Sequence, residues 1–340
     1  MTGLRRVEGF PAALAACRTG DLLRTLGGPT LFDIPGARGR PLFVSVLLHG
    51  NEDTGFEAIK AVMARHATSG LPRPMLLFVG NVAAAAANLR SLPGQVDYNR
   101  AWPGTAFTGT PEAALMAEVV DAVRARAPEF SIDIHNNTGL NPHYGCINRL
   151  DDRYLHLARL FGRTIVYFTA PHGVQSAAMA ELCPAVTVEC GKAGVAANIA
   201  HAVDFVEACL HLRELPATPL AAQDFDLLRT GWIVRVPSAA SLSFDGSAAD
   251  FVFRPDLDHL NFSELVAGTS FGRRRAGAAH RLEIVDGGGG HIDEVFDYAG
   301  DAVRLAQAAI PAMLTRDVNA VRLDCLCYLM QRIARDGRPA

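Results

Sequence analysis

The chain has 340 residues, 49% of them hydrophobic and 20% charged, with a formal net charge of -3. That apolar content suffices for one large core or for a large domain plus a smaller one, and the interspersed charges form no basic stripe of the kind that neutralises phosphates. Nucleic acid is therefore not an expected partner, and small molecules are.

Along the chain, the N-terminal stretch carries Arg5, Arg6 and a short apolar run, but polar residues return by Arg18. No apolar span of about 18 residues occurs, so neither a signal peptide nor a membrane segment is expected. Seven cysteines, at 17, 146, 183, 190, 209, 325 and 327, form an odd and scattered set. Several sit in apolar runs, where cysteine behaves as a small hydrophobe, and a reduced, cytoplasmic setting is the reading.

From about residue 30 to 210, short β-rich apolar runs alternate with longer segments of helical period, the pattern of a mostly parallel sheet covered by helices. Strands are expected at 41–48, 75–80, 130–135, 164–169 and 185–190, with helices at 55–68, 112–126, 151–162 and 194–214. The second helix has Pro111 just inside Thr110, as a capped start requires. Beyond Leu215 the segment PATPLAAQD reads as a linker, followed by short strands at 231–236, 250–254 and 281–285 broken by Gly, Pro and Asp. The expected organisation is a catalytic domain over 1–215 and a smaller β-rich domain over 216–340.

The segment LLHGNEDTG sets His49 at the end of a buried strand, Gly50 at a sharp turn and Glu52 three residues on. His135, in SIDIHNNTG, ends another apolar strand. Strand ends of an open α/β sheet are where ligands bind, and two imidazoles with one carboxylate and an open position make a catalytic zinc set. A water bound there would be a nucleophile at neutral pH, and the ion would polarise the carbonyl under attack. Taken alone, His-x-x-Glu is a short pattern that also arises by chance. Asp133, two residues before His135, points to the same face. It either orients that histidine or is an ordinary strand-end carboxylate.

Four segments in order, HGNEDTG, VDYNRAWPG at 96–104, DIHNNTG at 133–139 and TVECG at 187–191, make the chain similar to the succinylglutamate desuccinylase/aspartoacylase family, relatives of the zinc carboxypeptidases. The resemblance implies a carboxypeptidase-like α/β fold with one Zn2+ held by His49, Glu52 and His135. It further implies hydrolysis of the acyl amide of an N-acyl amino acid or a related small carboxylate-bearing amide. By motif position, Glu189 matches the family's catalytic glutamate, Arg90 an arginine that polarises the scissile carbonyl, and Asn99 with Arg100 a pair that grips a substrate carboxylate. The residue types suit those roles: a carboxylate can relay protons between water and a leaving nitrogen, and a guanidinium fork pairs with a carboxylate bidentately.

The sequence departs from the family near Met179, where the aspartate-acylase branch carries an arginine for a second carboxylate, so N-acetylaspartate is not the expected substrate. The family's C-terminal tyrosine finds no match at Tyr298 or Tyr328. Asp286, the glycines at 287–290, His291 and Asp293 read as a flexible turn or flap, since no phosphate-loop lysine follows. Cys325 and Cys327 are too few for a zinc knuckle. His143 and His172, in loops of the first domain, are the further histidines of interest. Two alternatives stand beside the deacylase: a zinc carboxypeptidase acting on short peptides, and a non-catalytic binding protein of the same fold. A homo-oligomer is left open.

Overall fold

The computed structural model describes residues 3–277, 280–286 and 294–338. The chain divides into two compact units. The first runs to Asn136 and resumes over His143–Asp226; the second takes Asn137–Pro142 and the chain from Leu227 onward.

The first unit contains strands β1 (Arg5–Glu8), β2 (Thr30–Ile34), β3 (Leu42–Val46), β4 (Met75–Val79), β5 (Phe130–His135), β6 (Tyr144–Ile147), β7 (Thr164–Tyr167) and β8 (Ala185–Glu189). They lie side by side in the order β1-β2-β4-β3-β5-β8-β6-β7. Every neighbouring pair is parallel except β2 with β4 and β6 with β8. Every residue of β3, β4 and β5 is buried, which explains why these strands read as continuous apolar runs: a parallel strand covered on both faces has no solvent side to alternate with.

Among the described residues, eight α-helices accompany these strands: α1 (Ala12–Ala15), α2 (Leu22–Leu26), α3 (Thr54–Arg65), α4 (Val82–Ala86), α5 (Pro111–Arg126), α6 (Asp152–Phe161), α7 (Gln175–Met179) and α8 (Ala196–His211). Thr110 caps α5 by accepting the Ala113 N–H on its hydroxyl, with Pro111 in the first turn. Asp151 does the same for α6 through Arg153 N–H. The long strands and helices fall where the apolar periodicity puts them. The β1–β2 edge, β6 and the short helices α1, α2, α4 and α7 are additions, the helices having only four or five residues, too few for a helical period to show.

α3 follows β3 directly and lies close against the sheet. A Cβ on Gly55 would stand 2.8 Å from Val46 Cγ1 and 3.0 Å from Ile134 Cβ. The glycine therefore sets how near the start of this helix comes to the ends of β3, which leads to His49, and β5, which ends in His135.

The second unit is β-rich. One group of strands, β9 (Asp226–Arg235), β13 (Glu283–Asp286), β16 (Ile310–Ala312) and β17 (Cys327–Arg332), pairs antiparallel with β9 and β17 adjacent. A separate five-stranded sheet has the order β10-β11-β12-β15-β14, from Leu242–Ser243, Phe251–Phe253, Ser270–Arg274, Ala302–Leu305 and Phe296–Asp297 respectively. Its core is aromatic: Phe251, Phe253, Phe271 and Phe296 are all buried, and Phe271 meets Phe296 edge-on at 5.2 Å. Tyr298 is used inside this unit, where its hydroxyl accepts the Leu282 N–H. The glycine run at 287–290, His291 and Asp293 lie outside the described residues. All seven cysteines are free thiols, and no helix of the described residues is long and apolar enough to cross a membrane.

Gly55→Leu is expected to lower stability by about 1–3 kcal/mol, the cost of forcing extra carbons into a packed contact. Urea unfolding of the variant against the native chain measures it, and an unchanged midpoint would contradict the close-approach role.

Candidate metal centre

β3 ends at Val46, and the chain turns through Leu47, whose φ of 56° is in the left-handed region. It then delivers His49, Gly50 and Glu52 at the edge of the sheet. A Cβ on Gly50 would fall 2.2 Å from Ala85 N and 2.3 Å from Ala84 C, so only glycine lets this loop lie against α4. Gly50 N–H also donates to Arg90 O at 3.1 Å. His135 arrives as the last residue of β5, two strand positions from Asp133, so the two side chains share a face.

His49, Glu52 and His135 are buried and converge, with one ligand atom from each lying within 4.8 Å of the others. His49 Nδ1 is 2.8 Å from Glu52 Oε1 and His135 Nδ1 is 2.8 Å from Glu52 Oε2. The two Nδ1 atoms stand 3.2 Å apart. The opposite nitrogens are held by carboxylates: His49 Nε2 is 3.0 Å from Asp97 Oδ1, and His135 Nε2 is 2.7 Å from Asp133 Oδ2. A carboxylate can only accept, so each ring carries a proton on Nε2 and turns Nδ1 toward its neighbour. This is the carboxylate–histidine arrangement that fixes tautomer and ring orientation around a metal. Two nitrogen donors and a carboxylate meeting in a buried gap fit a divalent ion.

The carboxylates are themselves tied down. Asp133, fully buried, accepts the Ser45 hydroxyl at 2.6 Å, which decides between its two sequence readings in favour of orienting His135. Asp97 accepts Arg90 Nε at 3.0 Å and Asn99 N–H at 2.7 Å. Glu52 accepts the Asn136 N–H at 3.0 Å, and Asn136 Nδ2 donates to Gly191 O.

Charge follows from this wiring. Burial works against ionisation of Glu52, but His49 and His135 outweigh it and hold the carboxyl well below its usual range. Burial likewise opposes charge on Asp97, and His49 and Arg90 overcome it. For His135, burial favours the neutral ring, yet Asp133 and Glu52 raise its pKa well above the ordinary value. His49 is also raised: burial and Arg90 oppose its charge, and Asp97 and Glu52 prevail. Both shifts favour a proton on Nδ1 when no ion is bound, and an ion taking that nitrogen must displace it.

The other sequence-derived residues gather around this cluster. Arg90 Nη2 is 2.9 Å from Asp97 and Nη1 3.8 Å from Glu52. Asn99, buried in the short turn Tyr98–Arg100, has Nδ2 3.3 Å from His135 Nε2 and accepts the Gln175 N–H on Oδ1 at 2.9 Å. Arg100 Nη1 donates to Asn99 O at 2.9 Å. Glu189 closes β8 in register with His135 on β5, and with Tyr144 on β6. Residues paired across strands point to the same face. Met179 is fully buried on α7. His143 is occupied elsewhere, stacked on His201 at 4.3 Å and bonded to Asn198 at 2.9 Å, and His172 is exposed. Asp97, Ser45 and Gln175 were not singled out from sequence. Asp97 had a signal, lying inside VDYNRAWPG two residues before Asn99; Ser45, one more small residue in an apolar strand, had none.

A family model, the succinylglutamate desuccinylase/aspartoacylase catalytic domain, matches residues 38–213, more than half of the chain. The chain belongs to the succinylglutamate desuccinylase/aspartoacylase family. Family members are hydrolases, desuccinylases and aminoacylases among them. Solved structures agree in fold. The succinylglutamate desuccinylase/aspartoacylase of Rhodobacter sphaeroides is 16% identical with a TM-score of 0.56, over 88% of each chain. Murine aminoacylase 3 is 17% identical with a TM-score of 0.56, over 87% of this chain and 97% of its own. Succinylglutamate desuccinylase from Vibrio cholerae is 13% identical with a TM-score of 0.56, over 88% of this chain and 84% of its own. No curated protein matches the sequence significantly.

Two measurements follow. Uptake of a divalent ion such as zinc should release protons, and apparent affinity should rise with pH because both histidine pKa values are raised; calorimetry in buffers of different ionisation enthalpy reads the release, and release of no protons would contradict the wiring. Asp133→Ala should weaken zinc binding about 10–100-fold in competition with a chromogenic chelator.

Proposed function

We propose that this family member is a zinc-dependent amidohydrolase that removes the acyl group from an N-acyl amino acid or a similar small carboxylate-bearing amide. The observation that carries the reading is the convergence of His49 Nδ1, His135 Nδ1 and Glu52, each imidazole backed by its own buried carboxylate. His49, Glu52 and His135 would hold the ion, which when bound supplies a Lewis acid and lowers the pKa of water.

The chain's own groups divide the rest of the work. Glu189, at the end of β8 beside His135, takes a proton from the attacking water and returns it to the nitrogen as the C–N bond breaks, so that water ends as the new carboxylate and the amine. Arg90, anchored on Asp97 next to Glu52, offers positive charge to the acyl oxygen as it becomes negative. Asn99 and Arg100 hold the substrate carboxylate; the Asn99 side chain is steadied by Gln175 N–H and the guanidinium by Asn99 O. The buried Met179 supplies no cation for a second carboxylate, which disfavours N-acetylaspartate.

Glu189→Gln is expected to lower kcat on N-acyl amino acids about 10²–10⁴-fold with zinc content unchanged by atomic absorption. Full activity in that variant would remove Glu189 from the chemistry. In a panel of substrates, acylated amino acids with one carboxylate should exceed both N-acetylaspartate and unblocked tripeptides in kcat/KM. A preference for the tripeptides would instead make this a carboxypeptidase.

A further inference from the structure

Two hydrogen-bond donors compete for the side-chain oxygen of Asn99. The Gln175 N–H reaches Oδ1 at 2.9 Å. On the other side stands His135 Nε2, 3.3 Å from Asn99 Nδ2, and that ring nitrogen carries the proton it gives to Asp133. An asparagine held by nothing else would turn its oxygen toward the ring N–H and its NH2 away. In the structure the amide is the other way round, and the Gln175 N–H holds it there, because a flip would set an NH2 against an N–H across 2.9 Å.

Gln175 can impose this orientation because it is itself built in. It is fully buried, and its Nε2 donates to Ser131 Oγ at 2.9 Å. Ser131 lies on β5, the strand that ends in His135. The chain leading to Gln175 is fixed along the Asn99 turn: Trp102 N–H donates to Gly173 O at 3.0 Å, and a Cβ on Gly173 would fall 2.4 Å from Arg100 O. Gln175 is the first residue of α7. The first N–H groups of a helix have no acceptor within it, so giving this one to Asn99 takes nothing from α7.

The orientation decides what Asn99 can recognise. With its oxygen turned to α7 and its NH2 toward the metal cluster, it adds a donor beside the Arg100 guanidinium and offers no acceptor there. A carboxylate only accepts, so it suits two donors side by side. A primary carboxamide of the same shape brings an NH2 that one of those donors must oppose. We propose that Gln175 is a specificity-determining positioning residue: its backbone N–H fixes the Asn99 amide with the NH2 inward, and so makes this end of the site select a carboxylate over the matching carboxamide. The proposal rests on Asn99 and Arg100 holding the substrate carboxylate, and it assigns the discrimination to a residue that touches no substrate.

Replacing Gln175 by its α-hydroxy acid through nonsense suppression exchanges the N–H for an ester oxygen and keeps the side chain. On the best N-acyl amino acid of the substrate panel, the ester variant should show KM raised about tenfold, the value of one hydrogen bond to a charged group, with kcat near its native value. Activity on the matching N-acyl amino acid carboxamide should hardly change, so the preference for the carboxylate falls by the same factor. Gln175→Met, which keeps the N–H and loses the Ser131 bond, should raise KM less. Asn99→Ala separates the two readings. If it leaves KM native, Asn99 holds no carboxylate and both readings fall. If it raises KM while the folded ester variant keeps native KM and preference, the clamp stands and the role of Gln175 is overturned; a Gln175→Met effect equal to that of the ester overturns it as well. A measurement without substrate serves if the ester variant does not fold: in protein isotope-labelled at glutamine nitrogen, Asn99→Ala should speed deuterium exchange of the Gln175 N–H several-fold by NMR, and an unchanged rate overturns the proposal.

Discussion

The two carboxylate–imidazole contacts, Asp97 on His49 and Asp133 on His135, are the constraint on which the rest of the site depends. An imidazole left to rotate offers either nitrogen in either protonation state. Once Nε2 is committed to a carboxylate, Nδ1 can only face inward, and Glu52 completes the gap. Each carboxylate is bound in turn by a hydroxyl, an amide or a guanidinium, so the order extends outward from the cluster. The arrangement is worth its burial only if complete: removing one member leaves a charge in the interior without a partner.

The sheet supplies the positions for this wiring. β3 and β5 are adjacent and parallel, so His49 and His135 leave the same edge, and Ser45 lies in register with Asp133. β8 is the next strand along and puts Glu189 beside His135. Two neighbouring strand ends thus carry His135 and Glu189, and the loop after the adjacent β3 adds His49 and Glu52. The topology makes neighbours of residues such as Ser45 and Asp133, 88 positions apart in sequence.

Much of this could be read in the chain before any coordinates. Fully buried parallel strands announce themselves as apolar runs, and a histidine at the end of such a run stands out because little else polar is tolerated there. The legible residues were therefore those with unusual chemistry for their surroundings: His49, His135 and Glu189. Ser45 was invisible because a serine in LFVSV is ordinary, and its partner lies on another strand. Asp97 sits in a loop where acids are common, and only the fold brings it to His49. The short elements α4 and α7 escaped for another reason, since five residues make too little of a helical period to detect, although Gln175 on α7 steadies Asn99 and α4 backs the Gly50 loop.

That last contact bears on how such a protein changes over evolutionary time. With the Gly50 backbone pressed onto α4 at a separation that excludes even a methyl group, the His49–Glu52 loop is an anvil rather than a hinge. New specificities have little to gain from remodelling it. The turn Tyr98–Arg100 is pinned in the same way by the chain leading into α7, since a Cβ on Gly173 would fall 2.4 Å from Arg100 O, so both loops are cast against a neighbouring backbone and substitution at either glycine would unseat a whole loop rather than one side chain.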